Sequence, residues 1–413
     1  MLVGVLDDVP GKGRKFRSQL YSPTMAFRGF RRGSFARIVA GAGVWGWVFA
    51  AVLCVAMLSG CSQLRPKPAP QYVYVTAKQT FLRDRVAAVS NRTGIVENGQ
   101  RLEVLEHGRR FFRVKTEKGE MGWIDEKAVA TQAVYDEFAA LRDGHKGDPA
   151  AASAVVRDEV NLHLKPGGET LYRLAEGDKL QLLARATLPK PAVPGMAQAK
   201  AAKGAAETVA PPVAMDDWWL VRDARGRTGW LLSRRIDVDA PDALTRYAEG
   251  QRFVGAYVLT TVHDDGASGD DVPSSKDIPI YLAVLGPYAA GLPFDFDQVR
   301  VFTWSLKMHR YETAFREKNI EGFLPLSIKT EKDPYGKSGV AQESLPTFTY
   351  KVLAADAGAP TPDPVTGIVT PGRTIAKTYR LEGNLVRRVA APGSKDEAAA
   401  HPVVEEKKAG KKK

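Results

Sequence analysis

The chain has 413 residues, 44% of them hydrophobic and 26% charged, a balance that suits folded domains and excludes a wholly disordered polymer. Its 38 Gly and 26 Pro exclude no globular class, but they predict many turns and several linkers. The formal charge of +12 is uneven, because residues 1 to 60 hold eight Lys and Arg against two Asp and so carry half of the excess.

Arg28, Arg31, Arg32 and Arg37 precede an uncharged run from Ile38 to Gly60, the pattern of a basic leader and an apolar export segment. The run ends in Leu58, Ser59, Gly60 and Cys61, which resembles the lipobox of bacterial lipoproteins. That resemblance implies a signal peptide over 1–60, cleavage before Cys61, and a membrane lipid anchor of fatty chains, palmitate among them, on the cysteine. Ser62, where Asp would signal inner-membrane retention, favours the periplasmic face of the outer membrane in a Gram-negative host. The alternative is an uncleaved anchor, since 23 uncharged residues span about 30 Å as a helix. Met25 is a second possible start, and Arg31-Arg32 leaves a twin-arginine route open. The two cysteines are Cys54 and Cys61, so the mature chain has no pair to form a disulfide. An export signal also argues against nucleic acid as a partner, despite the positive charge.

Residues 61–70 include Arg65-Pro66-Lys67-Pro68-Ala69-Pro70, whose alternating prolines favour an extended tether. From 71 to 131 short alternating runs such as Arg101-Leu102-Glu103-Val104-Leu105 stand between Asn-Gly, His-Gly and Lys-Gly turns, which predicts a small all-β module. Val134, Tyr135, Phe138 and Leu141 then recur at helical spacing before Gly144, giving a helical linker over 132–151.

A second copy of the module follows over 152–238, with its landmarks in the same order. Gly99, Phe111-Phe112-Arg113-Val114 and Gly119-Glu120-Met121-Gly122-Trp123-Ile124 correspond to Gly177, Trp218-Trp219-Leu220-Val221 and Gly226-Arg227-Thr228-Gly229-Trp230-Leu231. The second copy is longer by 29 residues between Ala186 and Asp216. That insertion, 187–215, is rich in Ala, Pro, Lys and Gly and reads as a disordered loop. Each copy resembles a bacterial SH3-like (SH3b) domain, a five-stranded barrel common in envelope proteins and wall hydrolases. The resemblance rests on the glycine-led strand, the aromatic strand after it and the Gly-x-x-Gly-Trp close. It implies two barrels in tandem and makes peptidoglycan or wall peptide an expected partner.

Residues 245–390 also alternate, as in Val299–Trp304 and Tyr311–Arg316 joined near Met308-His309. Further strands are predicted at Phe253–Thr260, Phe348–Val352, Ile375–Leu381 and Leu385–Val389, which makes this region an antiparallel β domain, sandwich or barrel, of no recognised family. Residues 391–413, poor in apolar groups and ending in Lys407, Lys408, Lys411, Lys412 and Lys413, read as a disordered tail.

The motifs of an enzyme are missing. The mature chain offers no cysteine nucleophile beyond Cys61, and its six histidines lack metal-ligand spacing. No catalytic residue, metal or cofactor is therefore expected. The acidic loop of His263, Asp264, Asp265, Asp270 and Asp271 reads as solvated. The candidate ligand-binding residues are aromatic: Phe111, Phe112, Trp123, Trp218, Trp219 and Trp230, because flat rings suit sugar faces and extended peptides. Alternation allows only one of Trp218 and Trp219 to face the core. The expected function is a noncatalytic envelope lipoprotein whose barrels bind peptidoglycan. A protein-binding adaptor or assembly lipoprotein, and a hydrolase with its site in 245–390, are the alternatives.

Overall fold

The computed structural model describes residues 69–87, 89–191, 213–269, 272–395 and 397–402. The export segment, the lipobox with Cys61, most of the proline tether, the centre of the insertion, Asp270, Asp271 and the lysine tail lie outside them. The chain is mainly β, as its alternation predicts, and carries three antiparallel sheets of seven strands each. Among the described residues no helix is long and apolar enough to cross a membrane.

The first module consists of β1 (Gln71–Val75), β2 (Gln79–Arg83), β3 (Arg92–Glu97), β4 (Arg101–His107), β5 (Phe111–Lys115), β6 (Met121–Asp125) and β7 (Val129–Thr131). A single 3-10 turn, Glu126–Ala128, separates the last two strands. The second module consists of β8 (Ala152–Val156), β9 (Val160–His163), β10 (Thr170–Leu174), β11 (Lys179–Pro189), β12 (Met215–Asp223), β13 (Thr228–Leu232) and β14 (Ile236–Val238), with its 3-10 turn at Ser233–Arg235. Their strand orders are β3-β2-β6-β5-β4-β1-β7 and β10-β9-β13-β12-β11-β8-β14, the same order with each strand replaced by its counterpart. Even the irregularity recurs: β4 slips register between Val104 and Glu106, and β11 does so between Leu182 and Ala184.

The geometry explains the repeated glycines. Gly119 and Gly226 open the closing hairpin at φ of 89° and 77°, a region that side chains disfavour. The second glycine of each motif serves close approach instead. A Cβ on Gly122 would stand 2.7 Å from Leu82 Cβ and 3.0 Å from the Arg83 carbonyl oxygen, so β6 can cross β2 only where the side chain is missing. Val73, Val75, Leu82, Val96, Leu102, Val114 and Ile124 fill the first barrel.

Helix α1 (Gln132–Gly144) starts where the Thr131 hydroxyl accepts from the Val134 amide at 3.5 Å. It buries Val134 and Phe138 in the core of the second barrel, together with Tyr74 and Ala130 of the first. Burying a ring such as Phe138 contributes about 1.5–3 kcal/mol. Asn98 adds a polar tie: its amide donates to the Leu171 carbonyl at 2.9 Å, and its Oδ1 accepts from the Arg173 amide at 2.9 Å. The linker therefore docks the two copies instead of leaving them free.

After α2 (Asp242–Thr245), the third region is a meander of β15 (Arg252–His263), β16 (Asp277–Gly286), β17 (Phe296–Ser305), β18 (Arg310–Glu331), β19 (Leu345–Leu353), β20 (Thr374–Glu382) and β21 (Leu385–Arg388). It encloses a core that includes Leu282, Val284, Phe296, Val301, Phe302, Phe348 and Tyr350. The sequence reading missed β16 and the second half of β18. In β16 both faces are buried from Leu282 to Gly286, so the apolar run has no alternation to betray it.

Two expectations of disorder give way where residues are described. In the insertion, β11 continues through Thr187 to Pro189 and pairs with β12, Leu188 opposite Asp216 and Pro189 opposite Met215. At the end of the chain, the Ala400 amide donates to the Leu353 carbonyl at 2.9 Å, and His401 Nδ1 lies 2.7 Å from the Asn319 carbonyl oxygen. Pairing to existing strand edges satisfies backbone groups that composition alone would leave to water.

Candidate functional site

The six aromatic candidates divide by the pleat. In β12, Trp219 turns inward at 5% exposure and packs in the second core, whereas Trp218 lies on the other face, half-buried against the cluster of Ala186, Leu220 and Trp230. Trp230 is 7% exposed and packs with Ala186 and Leu220, partly covered by Leu141 and Ile368. Trp230 is thus a packing residue and presents no ring to a ligand. In the first copy Phe111, Phe112 and Trp123 are all half-buried. Phe112 stacks on His107 with centroids 4.5 Å apart, and Trp123 lies against Gly108.

Trp218 forms one wall of a groove of about 300 Å³ on the second barrel. His163 meets its ring edge-on at 5.2 Å and is held by a 2.8 Å contact between Nδ1 and the Gly168 carbonyl oxygen. Asn161 comes from the same strand, Arg173 from β10, and Arg234 and Arg235 from the 3-10 turn. Glu159 lies at the edge, 2.9 Å from Arg173 and 3.2 Å from Lys78; Arg173 first and Lys78 second hold its carboxyl below the usual range. Asn161 Oδ1 is buried without a hydrogen bond. Arg234 lies 3.4 Å from Asp216 and Arg235 pairs with Asp158, so the groove sets three arginine–carboxylate pairs beside one ring, and its guanidinium groups are of the kind that donate to carboxylate oxygens.

Sequence reasoning found Trp218 but not His163, Asn161, Arg173, Arg234 or Arg235. The adjacent pair Arg234-Arg235, four residues past Trp230 of the Gly-Trp motif, was the available signal. Nothing in the spacing placed Arg173 beside them, because β10 reaches the groove only through its pairing with β9.

The second barrel is also fastened to the third domain by a buried arginine. Arg185 Nε donates to Asp295 Oδ1 at 2.7 Å, and its Nη2 donates to the carbonyls of Leu292 and Phe294 at 3.0 and 2.9 Å. Thr187 Oγ1, bonded to Arg185, donates to Asp217 Oδ1 at 2.7 Å.

The acidic loop near His263 is occupied internally. His263 lies 2.9 Å from Asp277 and 3.1 Å from Asp265. Asp264 turns inward to accept from Trp304 Nε1 at 2.6 Å and lies 2.8 Å from His309 Nδ1; these bonds, Trp304 foremost, hold its carboxyl low. Among the described residues no His, Cys, Asp and Glu gather into a group that could hold a metal ion.

No family model and no curated protein matches the chain. Among solved structures it is similar to NlpC2 from Trichomonas vaginalis, at 9% identity over 78% of this chain and 99% of that one, with a TM-score of 0.15. It is similar to NlpC1 from the same organism at 9% identity over 79% and 95%, again with a TM-score of 0.15. A likeness of that size carries no argument about fold or activity.

Proposed function

We propose that this protein is a noncatalytic envelope lipoprotein, anchored through Cys61, whose second SH3-like module binds the peptide part of the cell wall. The groove beside Trp218 carries this reading. Its three arginines pair with Glu159, Asp216 and Asp158 of the chain itself, partners that the terminal carboxylates of a wall peptide would replace, while the half-buried Trp218 ring offers apolar surface beside them. The SH3-like assignment is supported by the strand order and by the 3-10 turn before the last strand, both repeated in the two modules. The lipid anchor is supported by the Leu58-Ser59-Gly60-Cys61 sequence alone.

The test is to mix the full chain with isolated peptidoglycan, sediment it, and measure the bound fraction for the wild type, Trp218→Ala and Arg234→Ala. Reduced sedimentation in both variants, each with unchanged circular dichroism, supports the reading. Equal sedimentation of all three, or none by the wild type, overturns it and turns attention to protein partners in the envelope.

A further inference from the structure

A second cavity lies next to the groove and shares Leu232 and Arg234 with it. It is a cleft of about 920 Å³ between the second barrel and the third domain, within the size range of small-ligand sites. Trp219 lines it from β12, Phe253 from β15 and Tyr288 from the loop after β16. Tyr288 is 76% exposed, a ring left in water at the mouth.

The polar wall is unusual. Asp217 is 3% exposed; its Oδ1 is satisfied by Thr187 and by the Gly291 amide at 3.1 Å, but its Oδ2 has no hydrogen bond. Arg252 faces it with Nη2 4.0 Å from that oxygen, too far for a hydrogen bond. Arg252 Nε is likewise buried without a partner, and its Nη1 donates to Ser233 Oγ at 3.3 Å. Burial presses this guanidinium below its ordinary range, with Asp217 opposing. A buried acceptor left without a donor is unfavourable, so the wall favours an occupant that donates to Asp217 Oδ2 and accepts from the Arg252 guanidinium.

Most other charges at the cleft are already paired, Asp242 at its exposed edge apart. Arg157 bonds Asp237 at 2.9 Å, and Arg234 lies 3.4 Å from Asp216. An ionic ligand would have to displace these pairs. A hydroxyl group, by contrast, both donates and accepts, and one placed between Asp217 Oδ2 and Arg252 Nη2 bonds each across the 4.0 Å gap. Rings at the walls suit the apolar faces of a pyranose.

We infer that this cleft is a binding site for an uncharged oligosaccharide, with Asp217 and Arg252 holding sugar hydroxyls and Tyr288 stacking on a sugar face. The inference rests on the wall-binding reading only for the source of the sugar, a glycan strand whose peptide would occupy the adjoining groove. The cleft itself stands without it.

The test is calorimetric titration of the full chain in detergent with a tetrasaccharide of N-acetylglucosamine that carries no peptide. Saturable binding is expected, weakened at least tenfold in Tyr288→Ala and in Arg252→Lys and unchanged in Tyr335→Ala, a remote exposed control. Tyr288 is exposed enough that its variant folds, so its effect is read directly. Absence of saturable binding overturns the inference, as does binding that depends on Trp218 and not on Tyr288, or displacement of the sugar by a lysine-bearing peptide. Unchanged wall sedimentation by Trp218→Ala with sugar binding intact would remove the peptide-groove reading and leave this one standing.

Discussion

The two small barrels share one blueprint and differ in what is attached to it. At corresponding register positions, Trp123 pairs with Arg83 in the first, and Trp230 with His163 in the second. Phe111 stands opposite Asp125 where Trp218 stands opposite Leu232, and Lys127 of the first 3-10 turn corresponds to Arg234 of the second. The first copy exposes its hairpin near Val86 and Val89, the latter at 81%. The second copy lengthens β11 and β12 and sends Arg185 into the third domain, and its Trp230 is packed among Ala186, Leu220, Leu141 and Ile368. Residues that make the barrel recur; those that fasten the second barrel to the third domain or line its groove do not. A duplication therefore keeps its glycines and inward apolar positions while the surface of each copy is free to diverge.

The sharpest way to break this comparison is at the fastening. Arg185→Ala would leave buried Asp217 and partly buried Asp295 beside a lost cation, and removing one partner of a buried pair typically costs about 3–5 kcal/mol. His107, at the corresponding place after the register slip, is only stacked on Phe112, so His107→Ala is expected to cost less than about 1 kcal/mol. Urea midpoints of the two variants measure the contrast, and equal losses would refute it.

The paired glycines give the next largest effect. A methyl on Gly122 meets Thr93 Oγ1 at 2.5 Å and Leu82 Cβ at 2.7 Å, whereas on Gly229 its nearest neighbours stand at 3.1 Å. Gly122→Ala is expected to lose about 1–3 kcal/mol through overpacking and Gly229→Ala distinctly less, read from thermal midpoints. A reversed order would mean that the crossings are not equivalent.

Exchange at the ring position comes third. Trp218→Ala should lower wall sedimentation several-fold, while Phe111→Ala, its counterpart, should leave it within error. A loss with Phe111→Ala would move the binding site to the first barrel.

The smallest effect sets the third domain against both barrels. Arg300 first and then Arg316 hold the Glu249 carboxyl down to about 2, below its unfolded value of about 4.3. A depressed carboxyl contributes stability that is fully present above the unfolded value and is lost as pH falls toward 2. Wild type should therefore lose stability between about pH 5 and 2 more steeply than Glu249→Gln, as followed by denaturant midpoints. Because Glu249 is half exposed, solvent screens the pair and the difference should be modest. Parallel curves would remove the effect.

Much of the fold was legible from local pattern. Val299–Trp304 and Tyr311–Arg316 lie within β17 and β18, the helix around Val134 to Leu141 lies within α1, and the repeated glycines occupy corresponding turns and crossings. These features depend on near neighbours, through pleat alternation, helical spacing and the φ angles open to glycine. Of the groove, only Trp218 was legible.

The sequence by itself determined the mainly β class, the duplication and the turns, because each follows from residues a few positions apart. Only the tertiary structure decided that Trp219 and Trp230 are buried while Trp218 is not, that Arg173 joins Arg234, and that Asp217 meets Arg252 beneath Tyr288. Those pairs are brought together by sheet pairing and domain docking across long stretches of chain, and no local preference records which distant surface a side chain will meet.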